Sequence, residues 1–155
     1  MKKLLLLSTL LIFVFGFGQD SKDFDYKDLK NINSAKLFKK FCFEKEFTKL
    51  ESQQFLILRY AQGYDSDNEV ANVWAYYYPN NTFSMTTFRN VNGSSVESFN
   101  NVLNQVKKIC KFYDFKDDVN GWEYICYSCP NSSFKGKIGF LRGKDGSDTI
   151  QTFDF

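Results

Sequence analysis

Residues 94–113 read SSVESFNNVLNQVKKICKFY, and how this stretch is read decides the fold. Phe99, Val102, Leu103, Val106, Ile109, Cys110 and Tyr113 recur at i, i+3, i+4 and i+7, the spacing of one apolar helix face. Ser94 or Ser95 can cap this helix. Glu97 falls in its first turn, where a carboxylate suits the positive end of the helix dipole. Three strand-like runs follow, at about 122–128, 135–142 and 148–153. The last two are joined across Lys144-Asp145-Gly146-Ser147, and Asp-Gly is a strong hairpin signal.

The same order occurs once before. At an offset of 68 residues, Lys39-Lys40-Phe41-Cys42 lies on Lys107-Lys108-Ile109-Cys110, Glu46-Phe47 on Asp114-Phe115, and Leu56-Ile57 on Tyr124-Ile125. At an offset of 65, Val73 meets Ile138, Ala75 meets Phe140, Met85 meets Ile150, and Thr87-Phe88 meets Thr152-Phe153. The change of three is expected in a loop between two strand-like runs. In this first unit Ala35, Phe38, Phe41 and Cys42 make a weaker helical stripe, capped by Asn33 or Ser34. Its strands are predicted at about 54–62, 70–78 and 82–88, with Pro79-Asn80-Asn81 as the hairpin turn. The expectation is an α+β fold made of tandem duplicated αβββ units over about 29–90 and 94–155. They would form one antiparallel sheet with two helices packed on one face.

Ahead of the first unit stands a different kind of segment. Met1-Lys2-Lys3 precedes an apolar run from Leu4 to Phe15, broken only by Ser8 and Thr9. Gly16-Phe17-Gly18 and the polar Gln19-Asp20 follow. A basic start, a short apolar run and small residues before a polar one describe a secretory signal peptide, residues 1–18, cleaved after Gly18. The remainder, 19–155, is expected to be a single exported domain, periplasmic or extracellular, with no stable membrane insertion. Lys2 and Lys3 carry the whole excess of the 20 basic over the 18 acidic residues, so the exported part is neutral. A neutral chain without a basic stripe has little grip on phosphate, and no nucleic-acid partner is expected.

The composition also excludes chemistry. The chain has no histidine, which removes Ser-His-Asp and Cys-His catalysis and every histidine-ligated metal site. It contains neither a phosphate-binding Gly-x-x-x-x-Gly-Lys-Ser/Thr nor a Gly-x-Ser-x-Gly motif. The acidic clusters at 65–69, 117–118 and 145–148 fall in predicted turns, where Asp and Asn serve the backbone. Asp65-x-Asp67 lacks the spacing of a calcium loop. Asn80, Asn92 and Asn131 match the N-glycosylation pattern but are more simply turn residues. No catalytic residue, metal or cofactor is expected.

Four cysteines in an exported chain favour disulfides. Cys126-x-x-Cys129 follows a strand-like run rather than opening a helix, so a structural role is favoured over a redox one. Cys110 lies on the inner helix face, and Glu123 is a poor core residue, which puts Tyr124 and Cys126 on the inner face of the next strand. A Cys110–Cys126 bridge is therefore predicted, leaving Cys42 and Cys129 without an obvious pairing.

Strand alternation assigns the remaining faces. Val73, Ala75, Ile138 and Phe140 should lie under the helices, with Leu56, Leu58 and Tyr60. The opposite face should carry Trp74, Tyr76, Tyr78 and Phe88, joined by Arg59, Ile57, Ile125 and Tyr127. Each aromatic alone could be core. As a group on an uncovered face they suggest a contact surface, because tyrosine, tryptophan and arginine are enriched where proteins bind. The candidate partner-binding residues are Trp74, Tyr76, Tyr78, Phe88, Arg59 and Tyr127. The duplicated helix-plus-sheet plan is similar to that of the tandem-repeat β-lactamase inhibitor proteins, a likeness of architecture without a shared motif. That likeness implies gripping a protein with the sheet. The expected function is a non-enzymatic protein-binding module, either an inhibitor or an immunity protein against a toxin. The alternative is a periplasmic binder of a small ligand or glycan.

Overall fold

Two polar side chains cap the first two helices. The computed structural model describes residues 22–89 and 97–154. The expected signal segment, the Ser94/Ser95 cap and Asn92 lie outside the described residues. Asp25 accepts the amides of Lys27 and Asp28, while the Asp28 carboxylate accepts the Asp25 amide, and this reciprocal cap starts α1 (Tyr26–Leu29). Ser34 Oγ accepts from the Leu37 amide and starts α2 (Ala35–Glu44). Four strands follow: β1 (Thr48–Leu50), β2 (Leu58–Gln62), β3 (Val73–Tyr77) and β4 (Phe83–Phe88). Then come α3 (Glu97–Ile109) and four more strands: β5 (Lys111–Asp117), β6 (Glu123–Ser128), β7 (Lys137–Arg142) and β8 (Ser147–Phe153).

The strands make one eight-stranded antiparallel sheet in the order β1-β2-β3-β4-β8-β7-β6-β5. The fold is α+β. Four strands follow each long helix, not three, because β1 and β5 form the two edges. The short helix α1 was also not anticipated. α3 stops at Ile109, and the Cys110 amide makes the last helical bond, to the Val106 carbonyl. Tyr113, which fits the helical spacing, lies in β5 at an irregularity between Phe112 and Asp114. Among the described residues no helix is long and apolar enough to cross a membrane.

One core holds the helices against the sheet. Phe38, Phe41 and Cys42 of α2 and Phe99, Val102, Leu103 and Val106 of α3 pack with Tyr60, Val73, Ala75, Tyr77, Phe83, Met85, Ile138, Phe140 and Ile150. The register explains the membership: Tyr60 faces Ala75, Ala75 faces Met85, Met85 faces Ile150 and Ile150 faces Phe140. Directly opposed residues point the same way, so this row forms the helix side of the sheet. The segment before α1 closes the core: Phe24 is fully buried, and its amide donates to Ser98 Oγ on α3 at 3.1 Å.

One carboxylate is buried with the core at the β4–β8 junction. Asp148 is fully buried and receives Arg89 at 3.1 Å and Arg142 at 3.6 Å. Arg89 also donates to the Gly143 and Ser147 carbonyls. This clamp fixes the end of β4 to the β7–β8 hairpin.

The faces of β2, β3 and β4 are as the alternation predicts, but that of β6 is reversed. Ile125 faces Phe140 and Tyr127 faces Ile138, so both point to the helix side. Tyr127 is 8% exposed and packs its ring on Phe140 at 6.0 Å. Tyr124 and Cys126 point the other way and pack with Leu141, Phe153 and Trp122. Glu123, whose charge suggested the opposite assignment, is exposed on the helix side at the outer end of β6, opposite Asp117. Tyr127, expected on the contact face, is therefore part of the helix-side core and lies apart from Trp74 and Tyr76.

The same reversal decides the disulfide. Cys126 lies across the sheet from α3 and stays a buried free thiol, as does Cys42. Cys110 bonds instead to Cys129, beyond the end of β6, with 4.4 Å between Cα atoms. The predicted Cys110–Cys126 bridge is replaced by Cys110–Cys129.

Candidate functional site

The side of the sheet away from the helices differs between its two halves. On β6, β7 and β8 the residues bury one another. The Tyr124 and Phe153 rings meet edge to face at 5.0 Å, and Lys116 sits 5.5 Å from the Phe153 ring. Gly139 makes room for this packing, since a Cβ there would stand 2.7 Å from the Phe153 ring and 3.0 Å from Cys126 Sγ. Burial pushes the Tyr124 phenol up to about 12 and the Cys126 thiol up to about 11. This half is a second small core.

On β2 and β3 the corresponding side chains remain half-buried. Arg59 faces Tyr76 across the strands and Ala61 faces Trp74. The Arg59 guanidinium lies 4.6 Å from the Trp74 ring, a cation–π contact. Tyr64, from the loop after β2, meets Trp74 edge to face at 5.8 Å. Tyr78 Oη and Ser84 Oγ are hydrogen-bonded at 2.9 Å. Burial raises the pKa of Tyr78, and the Ser84 hydrogen bond opposes that rise.

Two depressions lie on this half of the face. The first is a groove of about 480 Å³ bounded by Ser52, Gln53, Gln54 and Ile57 of the β1–β2 loop and by Tyr64 and Glu69, with Arg59, Tyr76 and Tyr78 as its floor. The second, about 290 Å³, lies between Val70, Trp74 and Phe88, and Glu69 borders both. The loop that walls the groove carries Phe55 and Leu56 at its tip, 90% and 64% exposed. Leu56 is held at φ 68°, a left-handed conformation rare for leucine.

The loop after β2 is held by its own acids. Asp65 accepts from the Asp67 amide at 3.0 Å and the Asn68 side chain at 2.7 Å, and it bridges to Val70. These hydrogen bonds hold its pKa below the usual carboxylate range. The acidic cluster at 65–69 thus shapes the wall that carries Tyr64 and Glu69.

Of the six predicted contact residues, Arg59, Trp74, Tyr76 and Tyr78 form one surface, and Phe88 joins it through the second depression. Tyr127 lies on the other side of the sheet. Tyr64, Glu69 and residues 52–54 were missed. They lie in loops, and only the pairing of β1, β2 and β3 brings both loops to the same patch. The set offers aromatic faces, amide and hydroxyl groups and one charge of each sign. Comparison with protein-family models, with curated proteins and with solved structures returns no match.

Proposed function

We propose that this chain is an exported, non-enzymatic binding module that grips a partner protein with the surface built from Arg59, Trp74, Tyr76, Tyr78 and Phe88. Inhibition of an enzyme and neutralisation of a toxin are the two roles that suit such a module. The observation that carries the reading is the contrast within one sheet face. One half buries its aromatics, whereas the other leaves Trp74, Tyr76 and Tyr78 half-open beside the projecting Phe55. Aromatic and arginine side chains held rigidly on strands contribute contact area at little cost in ordering, which is how binding hot spots are composed. The Cys110–Cys129 bridge suits an oxidising compartment, as does the basic-apolar segment over 1–18.

The frame fits a tandem duplication. Ala75 and Phe140, and Met85 and Ile150, differ by 65 residues and hold matching places in the sheet order. Binding by one half alone is then the expected outcome of divergence between the halves.

A second reading has its own support. The groove has the size and the polar lining, from Ser52, Gln53, Gln54, Arg59 and Glu69, to hold a small polar ligand or glycan against Tyr76 and Tyr78. One experiment separates the two. The tagged protein is recovered from native envelope extract beside a Trp74→Ala/Tyr76→Ala variant, and both are applied to a glycan array. A stoichiometric protein lost in the variant supports the leading reading. Glycan binding without a protein partner supports the second. A folded wild-type protein that captures neither refutes both.

A further inference from the structure

β5 ends one side of the sheet, and among the described residues nothing pairs with its outer edge. The opposite edge is β1, only three residues long. β5 has seven residues, and its outward amides and carbonyls can template another strand. The Phe115 amide donates to the adjacent Asp114 carboxylate at 2.8 Å, which turns that amide to the outer edge. Apolar side chains line the helix side of the same edge: Phe112, Phe115 and Ile125 are 54%, 50% and 41% exposed. The Phe112 and Phe115 rings are 5.2 Å apart, and Ile109 is 52% exposed where α3 passes into the strand.

We infer that β5 pairs antiparallel with β5 of a second copy of this chain, about a twofold axis through Phe115. The charges select that register. Asp114 and Lys116 face away from the helices, because they pair with Cys126 and Tyr124. Residues opposed in an antiparallel pair share a side of the sheet. With the helices of both copies on one side, an axis through Asp114 sets two carboxylates opposite each other, and an axis through Lys116 sets two ammonium groups opposite each other. An axis through Phe115 sets each Asp114 opposite Lys116 of the second copy, which attracts where the other two repel. The two Phe115 residues then face each other, and the apolar strips of the two copies join into one. Phe115 exchanges amide and carbonyl hydrogen bonds with its twin, and the Asp114 carboxylate exchanges the Phe115 amide for the Lys116 ammonium. The irregularity at Tyr113 interrupts the strand on one side. The contact is short, so association depends on concentration.

Sedimentation velocity over a range of concentrations tests this. The wild-type protein should form dimers, Asp114→Lys and Lys116→Asp should each be monomeric, and Asp114→Lys combined with Lys116→Asp should dimerise again. A monomer at every concentration overturns the proposal, as does a dimer indifferent to the single reversals. Phe115→Cys supplies a check that does not depend on the folding of the charge variants. Mild oxidation should link two copies through residue 115, and failure to cross-link a concentrated sample overturns the twofold axis. Wild-type protein that stays monomeric but takes up an extended peptide of another sequence along β5 would also overturn it.

Discussion

Met85 and Ile150 stand directly opposite each other where β4 meets β8, both fully buried. Met85 is flanked by Ala75 on β3, and Ile150 by Phe140 on β7. This pair is the centre of the core and joins the two halves of the sheet. Met85→Ala should lower stability by about 3 kcal/mol, through lost burial and the cavity left in the core. Denaturant unfolding followed by tryptophan fluorescence measures this.

Tyr127 and Tyr76 should behave oppositely, though both are tyrosines on strands. Tyr127→Ala should cost about 3 kcal/mol, as for a core aromatic. Tyr76→Ala should cost under about 1 kcal/mol while abolishing capture of the partner. Parallel unfolding curves and binding assays decide it. Equal losses of stability would contradict the face assignment.

Reduction of the Cys110–Cys129 bridge, or its removal by Cys129→Ser, should cost about 3 kcal/mol, the usual effect for a loop of this length. Thiol titration should find two free cysteines after unfolding without reductant and none in the native protein, because Cys42 and Cys126 are buried. A native count of two would contradict their burial.

The buried thiol and phenol also predict a loss of stability in alkali. Cys126 is raised from 9.0 to about 11 and Tyr124 from 10.0 to about 12. The folded state holds both protons more tightly than the unfolded chain does. Their contribution is complete below pH 9 and falls as the pH rises, through about 11 for Cys126 and about 12 for Tyr124. Burial raises the Cys42 thiol as well, so Cys126→Ala should lessen, and not abolish, the fall that begins above pH 9. Unfolding midpoints between pH 8 and 12 provide the test.

Asp148→Asn should cost about 3 to 5 kcal/mol, because it leaves the Arg89 guanidinium partly buried without its carboxylate. The hairpin ending β7 and β8 should exchange its amides faster in this variant, since Arg89 ties that turn to β4.

Local patterns in the chain determined most of the elements. The apolar stripe from Phe99 to Val106 made α3, and the alternation Val73-Trp74-Ala75-Tyr76-Tyr77 set the two faces of β3. The Asp145-Gly146 and Pro79-Asn80-Asn81 turns placed both hairpins. These are short-range effects, set by side-chain period and turn chemistry. The face of β6 was not legible locally. At an offset of 68, Leu56 falls on Tyr124, whereas the sheet sets Tyr60 against Ala75 and Ile125 against Phe140, an offset of 65. An odd shift turns every side chain of a strand to the other face. That one shift moved Tyr127 into the core and moved Cys126 away from Cys110. Tertiary structure alone decided the edge strands, the disulfide partner and the meeting of Tyr64, Glu69 and Gln54 around Arg59. Each depends on which strands pair and in which register, and pairing is settled by burial over the whole sheet rather than by the residues of any one strand.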